Sequence, residues 1–428
     1  MSDHFDAVVI GGGCLGSACA VAIQRRLRAM GHIKARVCVI EKHVVASGLS
    51  ARHSGIVRAA NADPVAAELA KKSIRMWHAL EDFWGVPTTY DAAGALWIAT
   101  DRGDGDNPKW RKLSVEMASA GIDFRKVSQS EAREVCPPIV GLYDHEVYYF
   151  EPGAIQLDPS VVRSTLYEAL QHNKVVTFEQ TTVTGFERDD LGNFTSVITD
   201  RGHLSCDYVV NAAGPWSPSI FGGVGLSIPV SIEPVNVANW ITSQRDIAAG
   251  MPIIADYVNL AYFRIWRDGE IHMHQPRRRS SRDTARAFSE NPLSITGADF
   301  VTDPANQTLG YSQIKFYEDV AGRRLENIDS TVYGSGYRSY FDITPDLRFI
   351  LGPDHRAQNL IHCLGAGQAF KYAPVFGEVI ADYITGRSDY SSLGDHFPIG
   401  RFDDEYMKGF WQQVRGVNYS LATESASL

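Results

Sequence analysis

The run "FDAVVI" leads directly into Gly11, Gly13 and Gly16, and a second apolar run, "ARVCVI", stops on Glu41. No other feature restricts the fold of this chain as strongly. The first glycine permits a tight turn, the second lets the backbone approach a pyrophosphate, and the third lets a helix beginning near Cys14 pack against the strand. The positive end of that helix is a seat for the pyrophosphate. Glu41 falls where a carboxylate accepts hydrogen bonds from a ribose 2′-hydroxyl and repels the extra phosphate of NADP. Strand, turn, helix, strand and acid in this order predict a Rossmann-type unit for an ADP-containing dinucleotide. Gly11, Gly13, Cys14, Leu15, Gly16, Glu41 and Lys42 are its candidate contacts.

The loop "VVASGLSARHSG" that follows is small and polar enough to cover a cofactor. Apolar residues at helical spacing predict a helix over 64–84 and another from about Ser160 to Leu170, started by Asp158 and Pro159. "HEVYYF", "KVVTFE", "NFTSVIT" and "HLSCDYVVN" read as strands, with Leu191-Gly192-Asn193 as a turn. From about 229 to 330 the pattern changes to longer strands with alternating aromatics, "EPVNVANWIT", "NLAYFRIW" and "EIHMHQ". The Asp-Gly of Trp266-Arg267-Asp268-Gly269-Glu270 marks a hairpin between the last two, hence an antiparallel sheet. Beyond 330 the chain returns to strand, glycine-rich loop and a helix from about Gln368 to Thr385, and the last residues read as a loose tail.

A chain of 428 residues exceeds the usual single core, so two domains are expected. Net charge of −9 argues against a nucleic-acid binder, and no apolar run reaches the length of a membrane span. Arg277, Arg278, Arg279, Arg282 and Arg286 form a local exception, read as a solvated loop leading into a helix, with an acidic partner or substrate as the minority reading. Six scattered cysteines have no zinc spacing, so no metal is expected and a reducing compartment is. The cofactor strand begins close to Met1, which leaves no room for a signal peptide; the expectation is cytoplasmic.

Four motifs resemble the FAD-dependent amine and amino-acid oxidoreductases of the D-amino-acid oxidase superfamily, sarcosine oxidases and dimethylglycine dehydrogenase among them. They are "VVIGGGCLGSACA" with Glu41, "SARHSGIVR" at 50–58, "VVNAAGPWS" at 209–217, and "DITPDLRFILGP" with "HCLGAGQAFKYAPVFGEVIADYITG" within 342–386. The resemblance implies an α/β (α+β overall) fold. A Rossmann-type FAD-binding domain (1–85, 150–228, 331–400) carries an inserted, mainly antiparallel β-sheet substrate domain (86–149, 229–330), followed by a tail at 401–428. It adds Ser50, Arg52, His53 and Ser54, then Ala213, Gly214 and Trp216, then Gly365, Gly367 and Gln368 as FAD contacts. Gly365 and Gly367 precede a helix, so free N–H groups and its positive end face the flavin N1 and C2 carbonyl.

The resemblance also implies that Arg58 and Lys371 hold a substrate carboxylate beside the flavin, as a guanidinium fork and an ammonium are suited to do. Ser339 stands where relatives carry a flavin-tethering cysteine, so non-covalent FAD is expected, with His53 as the only other candidate tether. His272 stands near the lysine that promotes oxygen reduction in relatives, which puts oxidase activity in question. By strand period it shares a face with His274, and Tyr262, Trp266 and Tyr340 are candidate pocket walls. The expected reaction is oxidation of a carbon–nitrogen bond of an amino acid or N-substituted amino acid, to an imine that hydrolyses. Oxygen or another acceptor, or a partner subunit, then takes the electrons. A 2-hydroxy acid dehydrogenase and a catalytically quiet flavoprotein subunit are the alternatives.

Overall fold

The computed structural model describes residues 3–100, 108–242, 251–265, 270–274, 309–326 and 331–425. Two sheets organise them. In the first, Ile350–Asp354, Ala357–Leu364, Gly202–Asn211, Asp3–Ile10, Val37–Ile40 and Val176–Phe178 lie side by side, and Val183–Arg188 with Phe194–Thr199 branches from Gly202–Asn211. The five strands from Ala357–Leu364 to Val176–Phe178 run parallel. The unbroken apolar runs at 7–10 and 37–40 follow from burial on both faces. Ala7, Val9, Val37 and Val39 enter the core beneath the helices, while Val8, Ile10, Cys38 and Ile40 enter a second core with Phe194 and Phe221.

The helix Cys14–Ala29 covers this sheet and is crossed by Ala369–Thr385. The crossing is tight because Gly377 has no side chain: a Cβ there would stand 2.6 Å from the Ala18 carbonyl oxygen. The helix Pro159–His172 begins as expected, with Pro159 in the first turn and the Asp158 carboxylate accepting the Ser160 N–H. Gly192, at φ +86°, makes the expected turn before Phe194–Thr199.

The second sheet runs Thr331–Ile343, Ser231–Thr242, Glu270–His274, Ala261–Ile265, Ile253–Asp256, Ala95–Thr100, Glu146–Glu151 and Arg125–Val127. It is antiparallel except where Ile253–Asp256 pairs with Ala95–Thr100. Helix Tyr311–Arg324 is tied to it by buried Arg324, which pairs with Glu146 and Asp256 at 2.7 Å each.

Three expectations change. Thr331–Ile343 falls on the cofactor side of the boundary at 330, yet it pairs along its whole length with Ser231–Thr242 in the second sheet. The helix expected over 64–84 breaks at Ala79 into Pro64–His78 and Leu80–Trp84, so that both Trp77 and Trp84 turn inward at 1% exposure. The tail is a helix, Asp404–Ser425, because Phe410 and Val414, four apart, bury against Ile343. The 266–269 turn, with Trp266, and the arginine cluster at 277–286 lie outside the described residues. Among the described residues no helix is long and apolar enough to cross a membrane.

Candidate active site

The parallel strands Asp3–Ile10 and Gly202–Asn211 end side by side, with Ile10 opposite Asn211, and a groove of about 640 Å³ opens beyond their carboxyl ends. That is where an open parallel sheet receives ligands. The glycines are explained by what they touch. A Cβ on Gly16 would lie 1.8 Å from the Gly11 carbonyl oxygen, and one on Gly11, at φ +102°, would lie 2.5 Å from that of Ala212. Leu15, Lys42 and Trp216 line the groove with Gly13, Ala213 and Gly214. Glu41 also lines it, with Oε2 accepting the Gly12 N–H at 2.9 Å and Oε1 accepting that of His43 at 2.8 Å. Two backbone donors fix the carboxylate beside the turn, and each oxygen keeps a further lone pair for a ribose hydroxyl. The far wall, Thr181 to Phe186, was not foreseen; its signal is only the pairing of the Thr181 N–H with the Glu41 carbonyl.

The floor of the groove is held by a buried relay. Asn211 Oδ1 accepts the Ala213 N–H and the Ser217 hydroxyl, and Asn211 Nδ2 lies 3.0 Å from His362 Nδ1. His362 Nε2 lies 3.0 Å from Asp354 Oδ2. Burial holds the His362 pKa below its ordinary value, so the ring is neutral, accepting from Asn211 and donating to Asp354. Asp354 is held well below the usual carboxylate range: burial opposes this, but hydrogen bonds from Arg356 and His362 outweigh it.

A cavity of about 200 Å³ adjoins the groove and shares Cys14, Leu49, Ser50 and Asp342 with it. The loop foreseen as a cover forms their common wall, and Ser50 Oγ accepts the Cys14 N–H at 2.8 Å. Burial pushes the Cys14 thiol up to about 11, so it is neutral. Arg52, His53 and Ser54 line the cavity, as do Ser339, Gly367 and Gln368. His53 stacks on Phe370 with ring centroids 3.8 Å apart and accepts the Gly55 N–H at Nδ1, while burial, with Arg264 nearby, lowers its pKa to about 3. One expectation needs correction here. The Gly367 N–H is not free for a ligand, because it donates to Asp342 Oδ1 at 2.8 Å. Gly365 lines neither space but supports the turn by accepting the Gln368 N–H.

Arg58 and Lys371, more than 300 residues apart in sequence, meet in this cavity. Arg58 follows the short strand Ile56–Val57, which pairs with Ile155–Gln156. Gly55 permits that approach, since a Cβ there would stand 1.9 Å from the Leu157 carbonyl oxygen. The guanidinium lies 4.4 Å from the Trp97 ring centroid and donates to the Ala60 carbonyl. Tyr257 stacks on Trp97, and its hydroxyl is 2.7 Å from that of Tyr262, another cavity wall. Burial works against the Arg58 charge, but Tyr262, Tyr257 and Glu151 outweigh it and raise its pKa. Lys371 is 5% exposed in the first turn of Ala369–Thr385, and its own carbonyl accepts from Ser73 and Trp77. A cation at a helix's positive end is electrostatically unfavourable by itself, so the geometry concentrates positive potential here. A fork and an ammonium so placed can hold a carboxylate.

Tyr340 lines the cavity as foreseen. His272 lies on the strand Glu270–His274, opposite Asn239 on one side and Arg264 on the other, and His274 takes the register position between Val237 and Tyr262. The side chains of both histidines lie outside the described residues. The carboxyl of Glu151, 1% exposed, was missed by sequence reasoning, because it lies in an ordinary strand 93 positions from Arg58. FAD fits these surfaces. The groove offers glycine backbone and a helix end to a pyrophosphate, and the cavity offers His53 Nε2 and Gln368 Oε1, buried atoms with no hydrogen-bond partner among the described residues.

A family model described as "DAO: FAD dependent oxidoreductase" matches residues 6–383. The chain is 22% identical to 4-methylaminobutanoate oxidase (formaldehyde-forming) of Paenarthrobacter nicotinovorans, over 98% of the chain and 48% of that protein. It is 24% identical to monomeric sarcosine oxidase of Streptomyces avermitilis, over 94% and 98% respectively. The chain spans between 28% and 48% of the length of the first curated relatives it matches. Among solved structures, L-proline dehydrogenase from P. horikoshii superposes with a TM-score of 0.79 at 19% identity, covering 94% of this chain and 98% of that one.

Proposed function

Because the chain belongs to the DAO family of FAD-dependent oxidoreductases, we propose that it oxidises the carbon–nitrogen bond of an amino acid or of an N-methyl or cyclic amino acid, with Arg58 and Lys371 holding the substrate carboxylate. The observation that carries this reading is the meeting of two buried cations in an aromatic-walled cavity continuous with the dinucleotide groove. The names of the relatives, which concern methylaminobutanoate, sarcosine and proline, point the same way.

FAD supplies the hydride acceptor when bound across the groove and cavity. Arg58, braced by Trp97 and the Ala60 carbonyl, fixes one end of the substrate. The same two cations disfavour a further positive charge nearby, which lowers the pKa of a bound substrate ammonium and favours the neutral amine that reacts. Tyr257, Tyr262, Tyr340 and Phe370 exclude water from the reacting carbon. Non-covalent attachment of FAD is part of the proposal and rests on Ser339, which offers no thiol; His53, whose Nδ1 accepts the Gly55 N–H, keeps Nε2 without a partner among the described residues and is the residue to which retained colour would point. Whether oxygen or another acceptor takes the electrons is tested by following reoxidation of reduced enzyme in the parent and in His272→Ala.

The reading is tested by mixing the holoenzyme anaerobically with N-methyl amino acids, cyclic imino acids, D-amino acids and 2-hydroxy acids. Bleaching of the flavin by amino acids and not by hydroxy acids is the expected result. Bleaching by hydroxy acids alone transfers the clamp to the alternative chemistry.

A further inference from the structure

We propose that His362 is a positioning residue for the cofactor and makes FAD binding sensitive to protons: its bare Nδ1 orients the Asn211 amide so that the Ala213 N–H is held, and a proton on Nδ1 reverses the amide and releases the turn that lines the groove. The inference concerns FAD alone and stands whichever substrate the cavity takes.

Both ends of the relay have fixed polarity. At one end the Ala213 N–H can only donate, so the Asn211 oxygen must face it, at 3.2 Å, and Asn211 Nδ2 is left facing His362. At the other end Arg356 donates from Nε to Asp354 Oδ1 at 2.9 Å and from Nη2 to Oδ2 at 2.7 Å, and the ionised carboxylate can only accept. His362 Nε2 must therefore carry a hydrogen. Between these two ends, only a neutral ring protonated on Nε2 satisfies every partner. Asn211 and His362 stand opposite each other on neighbouring parallel strands, both fully buried, and the Phe221 ring packs edge-on against the histidine at 6.3 Å.

A second proton breaks this pattern. Burial works against the Asp354 charge, but Arg356 keeps it ionised, so the proton goes to the ring. Nδ1–H then faces Asn211 Nδ2, donor to donor, and the amide turns over to present its oxygen. The Ser217 hydroxyl can rotate to accept from Nδ2, but the Ala213 N–H cannot, and it is left buried without an acceptor. That N–H belongs to a turn tied to the fingerprint: the Ala212 N–H donates to the Ile10 carbonyl, the Ala212 carbonyl crowds Gly11, and Ala213 and Gly214 line the groove. The charged groups that face the ring are Asp354 and Arg356, with His355 reaching Asp354 at 3.8 Å from the surface; the strand and helix packed against it present Asn211, Ser217 and Phe221. Burial lowers the ring's pKa below 6.5, with Asp354 opposing and Arg356 adding to the shift. FAD prefers the neutral ring, so its affinity is full above the folded pKa of His362 and declines as pH falls through it, towards about tenfold per unit.

The test dilutes the holoenzyme at a series of pH values from mildly alkaline to mildly acidic, within the range where circular dichroism shows it folded, and reads released FAD by its fluorescence. The parent is expected to bind FAD about tenfold more weakly at the acidic end. His362→Gln can still give an N–H to Asp354 and an oxygen to Asn211, but it cannot titrate. It is expected to stay within about tenfold of the parent at the alkaline end and to lose the slope. Asn211→Asp presents an oxygen to Ala213 and to His362 alike, so a protonated ring no longer disturbs the turn; whatever its absolute affinity, it should not weaken on acidification. His43 and Glu41 also line the groove and are unchanged in both variants, so a slope of theirs would persist there. Constant FAD affinity in the parent across the range overturns the proposal, and so does an acid slope that survives in either variant. A purely structural His362 would change the affinity by one factor at every pH and leave the slope in place.

Discussion

The groove and the cavity share four residues and are built in opposite ways. The groove is shaped by backbone: Gly11, Gly13 and Gly16 stand where side chains would collide or crowd, and a helix end and strand ends supply its polar groups. The cavity is shaped by side chains that arrive from Arg58, Tyr262, Tyr340 and Lys371, each on a different segment, with Trp97 packed behind Arg58 and Glu151 holding the turn after it. A backbone site is written in consecutive residues, because a turn and its helix are local. A side-chain site needs the whole fold before its members are neighbours.

The strongest way to break this contrast is Gly16→Ala. The added methyl would sit 1.8 Å from the Gly11 carbonyl oxygen, within backbone that has no room to retreat. The expected cost is about 3 kcal/mol or more, seen as lost melting temperature and a purified protein largely free of flavin. Gly223→Ala, also at the groove but with open space around the new methyl, serves as the control and retains the cofactor. Retention of FAD by Gly16→Ala would show that the groove is less dependent on backbone than its geometry indicates.

The cavity responds differently. Arg58→Ala and Lys371→Met are expected to keep FAD and lose about 2–5 kcal/mol of substrate binding or transition-state energy, read as the concentration needed to bleach the flavin. Arg58→Lys recovers little, because an ammonium cannot fill the planar place above Trp97. Loss of flavin from these variants would mean that the two regions are not separable.

The relay beneath the groove gives a smaller effect with a defined sign. Folded His362 is neutral with a lowered pKa, whereas the unfolded chain titrates near 6.5. Below that pH the unfolded state binds a proton that the folded state does not. The stability is therefore present in full above 6.5 and declines as pH falls below it, by about 1.4 kcal/mol per unit for one such group. Thermal melting from mildly acidic to neutral pH should show this slope added to the like-signed one from His53, whose pKa burial also lowers, and His362→Gln should reduce the slope by its own share while costing about 1–3 kcal/mol at neutral pH. A parallel slope in the variant would remove His362 from the account. The smallest expected effect is none: acid precipitation of the parent should release all its flavin, and colour left on the protein would point to His53.

How legible each region was follows from these distances along the chain. The fingerprint, the Asn211–Gly214 turn and the cover loop were readable because each is a short segment with its own stereochemistry. Thr331–Ile343 was misplaced because its partner strand lies about a hundred residues earlier, and pairing across such a gap leaves no local mark. The C-terminal helix was read as a tail because its stripe is short and becomes meaningful only against Ile343. Arg58 and Lys371 were reached through a resemblance, since either alone reads as a surface ion-pair partner.

By itself, then, the sequence determined a dinucleotide-binding parallel sheet with Gly11, Gly13, Gly16 and Glu41 at its mouth, because steric exclusion and strand periodicity act over a few residues. Only the tertiary structure decided that the Gly367 N–H is taken by Asp342, that Thr181 to Phe186 close the groove, and that Glu151 lies beneath the cations. Electrostatic fields and hydrogen bonds depend on distance in space. Residues 93 and 220 positions apart acquire that distance only when both sheets have formed.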